Sequence, residues 1–515
     1  MEPQKSFYVT DILQRRADLT PDRIALTCTI TGREISYAAW NRQAIQTANF
    51  LHNLGVGKGD RVAVYAVNAV EYLEVWMACG KIGAILQNLN WRLTPIELQD
   101  LMIDAAPKVL IYSADFAAEV DTMRPHLDRV QHYVAFDDPI AVGDKPFSAR
   151  EQQHADHLHA DVTLQPDDPW VICYTGGTTG LPKGAILTHA NMTWNATNTV
   201  MSWGLDQNDV AILNAPLFHT GGLNVFTLPL IHIGGRSIVC KTFDVDQVFD
   251  LIKTGGVTVF FGVPTMFVMM QGHPRWPEAD FSGLKIVISG GAPCPLPVFE
   301  KFWAKGVDFK TGYGLTEAGP NTFWLPPVDV QRKPGAVGKP LLHIEVDVID
   351  DEGNSQSAGE AGELIIRGPH VTPGYWNNPD ATRTAIVDGW LHTGDLAIRD
   401  DEGYYTIVGR LKDMIISGGE NIYPAEVESV MHAHNAVAEA ALIGMPDEKW
   451  GEVGCAVVVI KVGQTLTEAT LIDFLTDRLA RYKVPRQVIF VDDLPKTGPG
   501  KIDKKLLVQQ LGEQL

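Results

Sequence analysis

Along most of the chain, short apolar runs rich in β-branched residues alternate with stretches whose apolar positions recur every three or four residues. "RVAVYAV" (61–67) precedes "EYLEVWMACGKIG" (71–83), and "KVLIYSA" (108–114) precedes a polar helical stretch. "SIVC" (237–240), "VTVFF" (257–261) and "LKIVIS" (284–289) are each followed by a helical pattern. Alternation of this kind predicts an α/β fold with largely parallel sheets. "PWVICYT" (169–175) predicts a further strand, which runs directly into a glycine-rich loop. Ligands collect at the carboxyl ends of strands in open α/β sheets, so the loop falls where a site belongs.

The pattern changes after about Pro340. "HIEVDVIDDEGNS" (343–355) and "DLAIRDDEGYYTIVGR" (395–410) both predict hairpins closed by an Asp-Glu-Gly turn. After Arg410 the chain begins again. A polar loop containing "ISGGEN" (416–421) reads as flexible, and a helix is expected from about Pro424. A strand over "EVGCAVVVI" (452–460) and a helix over "LTEATLIDFLTDRLARY" (466–482) follow. The expected division is a large N-terminal domain over residues 1–410 and a small α+β domain over 411–515.

Composition narrows the class. With 515 residues, 45% of them hydrophobic, the chain can build a large core without disulfide or metal staples. A net charge of -20 argues against a broad nucleic-acid footprint but leaves room for a small basic pocket. The six cysteines show no CxxC or zinc spacing and read as reduced thiols. His154, His157 and His159, with Asp156 and Asp161, lie in a polar stretch that reads as a solvated surface linker rather than a metal site. The start lacks the apolar core of a secretory signal, no apolar run is long enough to span a bilayer, and "LGEQL" is not a peroxisomal tripeptide. The cytoplasm is the expected compartment.

The loop "YTGGTTGLPKG" (174–184) sets three glycines and three threonines before Lys183. A Walker A loop needs Ser or Thr after its lysine, and here Gly184 follows; the Rossmann GxGxxG is also missing. Backbone donors, hydroxyls and one ammonium suit a polyphosphate held transiently. Downstream, Glu317 in "GYGLTEAGP" (312–320) is a hard oxygen donor suited to Mg²⁺. The same run reads as a turn entering a helix with Thr316 as N-cap, an arrangement that also favours phosphate.

Further motifs are "APLFHTGG" (215–222), "GGAP" (290–293), "WLHTGDL" (390–396), "GRLKDMIISGGENIYPAEVE" (409–428) and "LPKTGPGKIDK" (494–504). In this order, over nearly the whole length, the chain resembles the adenylate-forming superfamily: acyl- and aryl-CoA synthetases, firefly luciferase and peptide-synthetase adenylation domains. The resemblance implies a luciferase-like fold, with a large multi-subdomain α/β N-terminal domain of stacked sheets and a small mobile α+β C-terminal domain. It implies an AMP-forming acid–CoA ligase using ATP, Mg²⁺ and coenzyme A on a small-molecule carboxylic acid. Nucleic acid and membrane spans play no part; a homodimer stays open.

The resemblance also implies roles. The phosphate loop would be Thr175, Gly176, Gly177, Thr178, Thr179, Gly180 and Lys183, and Gly176 stands where a hydroxyl residue is common. Gly291, Ala292, Pro293, Tyr313, Gly314, Thr316, Asp395, Ile407 and Arg410 would hold the rest of the nucleotide. Thr179 and Glu317 would bind the metal. Lys501, Thr316 and His219 are the expected catalytic residues, and Lys501 would touch both the carboxylate and the α-phosphate. Phe218, His219, Gly221, Phe261, Gly290, Gly314 and Pro320 would line the acid pocket. Ser417, Gly418 and Gly419 would line the pantetheine tunnel, with Lys412 as the hinge.

Gly221 and Gly222 leave a low pocket wall, "FFGVPTMF" (260–267) adds an apolar one, and neither segment carries Arg or Lys. An apolar acid is expected over a dicarboxylate. Fatty acids of medium or long chain and aryl acids such as hydroxycinnamates both fit; o-succinylbenzoate, with its second carboxylate, fits less well. A carrier-protein-loading enzyme shares most motifs, and a luciferase-like oxidase shares several. A nucleotide-binding protein without activity is the reading of a different class.

Overall fold

The computed structural model describes residues 9, 11–138, 140–175, 182–417, 420–447, 449–496 and 502–512. Two seven-stranded sheets dominate the N-terminal four-fifths. The first runs, in spatial order, Lys145–Pro146, His132–Ala135, Val109–Tyr112, Arg61–Tyr65, Ile85–Asn88, Pro169–Thr175 and Lys183–Thr188. Its pairs are parallel except the last, where the chain returns antiparallel after the glycine-rich loop. The second runs Phe309–Thr311, Ile286–Ser289, Val259–Gly262, Val210–Leu213, Arg236–Val239, Ile24–Cys28 and Glu34–Ser36, again parallel except at its last pair.

The near-continuous apolar strands follow from burial on both faces. Val62, Val64, Val109 and Ile111 face one core, while Ala63, Tyr65, Leu110 and Tyr112 face another. The first of these cores reaches the second sheet at Leu26 and Val239 through the helices Tyr37–Asn53 and Val70–Ile82. The second sheet splits likewise: Ile212, Phe260, Val287 and Phe309 pack on one side, Ala211, Val259, Ile286 and Ile288 on the other.

A smaller antiparallel sheet follows, with Glu345–Ile349, Ala361–Arg367, Trp390–Arg399 and Ile386–Val387 in order, and Tyr405–Arg410 paired to Trp390–Arg399. The second Asp-Glu-Gly turn closes a true hairpin between its flanking strands. The first closes only an isolated bridge, Ile349 to Ser355, because the partner of Glu345–Ile349 begins six residues later at Ala361.

From Ile415 the strands belong to another sheet, centred on the antiparallel pair Val437–Asp447 and Gly451–Ile460. The helices Pro424–His432 and Glu468–Thr476 cover one face, and Lys504–Gly512 the other. Two expectations are corrected here. "ISGGEN" is not a loop throughout: Ile415–Ser417 and Glu420–Ile422 pair as an antiparallel hairpin, in register from Ile415–Ile422 to Ser417–Glu420. The helix expected to Tyr482 stops at Thr476. Beyond it the chain turns so that Leu479 and Val484 reach the core and Lys483 meets Glu426 at 2.7 Å, contacts that a continued helix would forgo.

His154, His157 and His159 are exposed, and Asn49 fixes their backbone by bonding the carbonyls of His154 and His157 and the amide of His159. Among the described residues no helix is long and apolar enough to cross a membrane.

One ion pair lies deep in the core. Arg150 donates to Glu74 at 2.7 Å, with side chains 8% and 0% exposed, and its guanidinium sits 4.3 Å from the Phe147 ring centroid. Burial pushes the Glu74 carboxyl above its ordinary range, against the pull of Arg150. Removing one partner strands the other charge. Arg150→Ala should therefore cost about 3–5 kcal/mol, whereas Arg150→Met with Glu74→Leu should recover most of the loss. Denaturant melts of the three proteins check this; equal loss in the single and double variants contradicts it.

Candidate active site

The strand Pro169–Thr175 is buried almost to its end and delivers Thr175 to the edge of the first sheet. Residues 176–181 lie outside the description, and with them the expected Gly176, Gly177, Thr178, Thr179 and Gly180. Lys183 opens the returning strand opposite Thr175. On the far side of that strand a third segment pairs with it: Ile186 N–H donates to Gly374 at 3.0 Å, Trp376 N–H to Gly184 at 2.7 Å, and Ala185 bridges Tyr375.

Glu317 comes in from a different element and is only 8% exposed. Its Oε1 accepts from the Tyr375 hydroxyl at 2.9 Å and lies 3.3 Å from Thr175 Oγ1; the Thr175 hydroxyl is equally far from the Lys183 carbonyl. The Lys183 ammonium stands 5.3 Å from the centre of the Tyr375 ring. The expected helix after Thr316 is not formed. Thr316–Ala318 is a single 3₁₀ turn with Leu315 ahead of it. Gly319, at φ +61°, and Pro320 end it at once, because the residue before a proline is barred from the helical region. A single 3₁₀ turn gives Thr316 no helix N-terminus to cap.

A second cluster forms around Asp395, 5% exposed, on the strand Trp390–Arg399. Arg410 stands opposite it in the antiparallel register, and the Arg410 Nε reaches Asp395 Oδ1 at 2.8 Å. The Tyr313 hydroxyl donates to Asp395 Oδ2 at 2.6 Å. Burial and this carboxylate push the Tyr313 phenol well above its ordinary range, so it remains a donor. Gly394 N–H and the His392 ring both bond Glu363, at 2.9 and 2.8 Å, and so hold the turn before Asp395. Ile407 and Tyr313 are both half-buried against the same core.

The apolar wall is built around Phe261, at the end of the strand Val259–Gly262. A Cβ at Gly221 would lie 3.3 Å from its ring and one at Gly290 3.0 Å, so glycine on both sides lets the ring fit between two loops. Gly291, Ala292 and Pro293 continue the second of these loops, which turns at Gly291 with φ +81°. Gly314 approaches the Pro320 carbonyl too closely for a side chain. Phe260 and Phe267, included in the expected wall, are fully buried behind the sheet instead, because they fall on its opposite face. Phe218 is buried edge-on against Trp91, and the His219 ring tilts against it at 4.5 Å. Arg92, from a segment remote in sequence, lies 4.8 Å over Trp91 and 5.8 Å from Phe218. Arg92 lies outside both pocket motifs, so the absence of Arg and Lys within them gave no sign of it.

Lys412 lies in the short turn Leu411–Asp413 after Arg410, and Ser417 ends its strand opposite Glu420. Gly418, Gly419 and Lys501 are outside the described residues. Tyr375 and the Tyr313 hydroxyl were also missed as polar partners; no local spacing signals a bond between residues 58 or 82 positions apart.

The profile of the family described as AMP-binding enzyme matches residues 13–376, and that of the AMP-binding enzyme C-terminal domain matches residues 426–501. A feruloyl-CoA synthase of Amycolatopsis sp is 40% identical over 499 residues, covering 97% of this chain and 98% of that protein. An indoleacetate–CoA ligase of Aromatoleum aromaticum is 38% identical, covering 96% of both chains. The crystal structure of ATP-bound MatB from Rhodopseudomonas palustris superposes with a TM-score of 0.89 at 33% identity, covering 98% of this chain and 99% of that one. The chain belongs to the AMP-binding enzymes, in the acyl- and aryl-CoA synthetase branch of the adenylate-forming superfamily.

Proposed function

We propose that the protein is an AMP-forming acid–CoA ligase for apolar aryl acids of the hydroxycinnamate and arylacetate kind. The observation that carries this reading is one short segment. Tyr313 bonds the Asp395 carboxylate and Glu317, four residues on, bonds the tip of the phosphate-loop strand. Four extended residues span at most about 14 Å, a length suited to a nucleotide laid from ribose to terminal phosphates. The glycine-flanked Phe261 ring lies alongside, where the acid would stand. The reported relatives act on ferulate and indoleacetate, both aromatic acids.

In the first half-reaction a carboxylate oxygen of the acid attacks the α-phosphorus of ATP. The bond to the β-phosphate breaks, and pyrophosphate leaves. A carboxylate has about four acceptor positions. Tyr313 and Arg410 each take one oxygen of Asp395 and so orient the carboxylate that accepts from the ribose hydroxyls. Lys183, the Thr316 hydroxyl and the backbone of the glycine loop serve the phosphates. The donor set also fits Mg²⁺: among the described residues, hydrogen bonds engage only Oε1 of Glu317, leaving Oε2 as a hard ligand, which Thr179 would join. When bound, Mg²⁺ offsets charge on the phosphate oxygens. Lys501 neutralises the approach of carboxylate to phosphate by charge and position. In the second half-reaction the CoA thiolate attacks the carbonyl carbon and AMP departs, with Ser417, Gly418 and Gly419 bordering the pantetheine arm. His219, Phe218, Gly221, Phe261, Gly290, Gly314 and Pro320 line the acid site; Gly291, Ala292, Pro293 and Ile407 border the nucleotide. Lys412 is the hinge between units 1–410 and 411–515, because one small unit cannot present Lys501 and Ser417 to the same site together.

A panel of acids with ATP, Mg²⁺ and CoA tests the substrate class. Hydroxycinnamates and arylacetates should give acyl-CoA and pyrophosphate at higher kcat/KM than palmitate or malonate; preference for either of the latter overturns it. Lys501→Ala should reduce pyrophosphate release by at least about 10²-fold while sparing CoA transfer from supplied acyl-adenylate; equal loss in both halves contradicts its role. Lys412→Pro, which restricts its own φ and the residue before it, should keep one half-reaction and lose the other. Full retention of both places the hinge elsewhere.

A further inference from the structure

Tyr375 belongs to none of the roles above, yet two elements of the phosphate end, the turn Thr316–Ala318 and the strand Lys183–Thr188, meet on it. Its hydroxyl donates to Glu317 Oε1 at 2.9 Å, its ring faces the Lys183 ammonium at 5.3 Å, and its backbone bridges Ala185 on the returning strand. Three residues earlier, Thr372 N–H donates to the Glu317 carbonyl at 2.7 Å, and the Thr372 hydroxyl donates to the Ile186 carbonyl at 2.6 Å. The segment 372–376 therefore holds Glu317 by both backbone and side chain and binds it to the strand that carries Lys183.

We propose that Tyr375 is a positioning residue for adenylation: its hydroxyl fixes the Glu317 carboxylate with Oε2 turned to a divalent cation on the nucleotide, and its ring keeps Lys183 over the phosphate site. A carboxylate on a freely rotating stem would sample several orientations, and the phenol bond selects one. A lysine stem has many rotamers, and a ring face within about 6 Å of its ammonium attracts the charge without neutralising it as a carboxylate would. The cation then remains available to phosphate. The proposal rests on the adenylation reading above.

Tyr375→Phe removes one oxygen and keeps the ring. A hydrogen bond to a charged group of this kind supports a loss of about ten- to a hundredfold. Isothermal titration should show Mg·ATP binding weakened by that factor, while ATP in EDTA binds as it does to the unchanged protein. The Mg²⁺ concentration for half-maximal pyrophosphate release should rise. The KM of the acid and CoA transfer from supplied acyl-adenylate should not move. Tyr375→Leu removes the ring as well and should also weaken ATP in EDTA. In a Glu317→Gln background, Tyr375→Phe should add little, which separates positioning from a general loss of structure. Unchanged Mg·ATP affinity, effects additive with Glu317→Gln, or equal loss in both half-reactions overturns the proposal. An unchanged protein that binds no ATP, with or without Mg²⁺, overturns the adenylation reading as well.

Discussion

A strand buried on both faces can carry polar chemistry only where it ends, and the rest of this molecule follows from that constraint. The two large sheets are apolar through their middles because helices and the neighbouring sheet cover them. Thr175, Phe261, Gly290 and Gly312 all stand at or just beyond the carboxyl ends of strands. Parallel strands put these ends on one edge of each sheet. Side chains separated by up to 142 positions meet at that edge.

The electrostatics of the edge are uneven. Asp395 is matched by Arg410 and by the Tyr313 phenol. Glu317 is held by neutral hydroxyls, and among the described residues it has no ion-pair partner. The two buried carboxylates are thus prepared for different company. On the proposed reading one accepts from the uncharged ribose hydroxyls. On the same reading the other, without an ion-pair partner among the described residues, suits a cation brought in with a phosphate chain.

Much of the architecture was legible because burial and periodicity are local. Val70–Ile82 and Val109–Tyr112 fall where their apolar spacing puts them, and the family likeness rests on contiguous motifs. What escaped was of another kind. The 3₁₀ turn at Thr316 looks like a helix start until Gly319 and Pro320 are weighed together. The strand Val437–Asp447 was overlooked because Gly444, Pro446 and the charges at its ends disguise a run that its partner Gly451–Ile460 completes. Arg92 meets Phe218 and Tyr375 meets Glu317 across tertiary contacts, and no window of neighbouring residues contains either pair.

Arg410 has one further consequence. It is the last residue of its strand and touches the turn Leu411–Asp413, yet its side chain is tied back to the carboxylate assigned to the ribose. On the proposed reading the near end of the linker is thereby moored beside the nucleotide. Torsion beyond that point works like a door on a fixed post: the leaf swings, and what hangs on the post does not travel. On that reading a reactive mixed anhydride stays where it was made while its surroundings are exchanged.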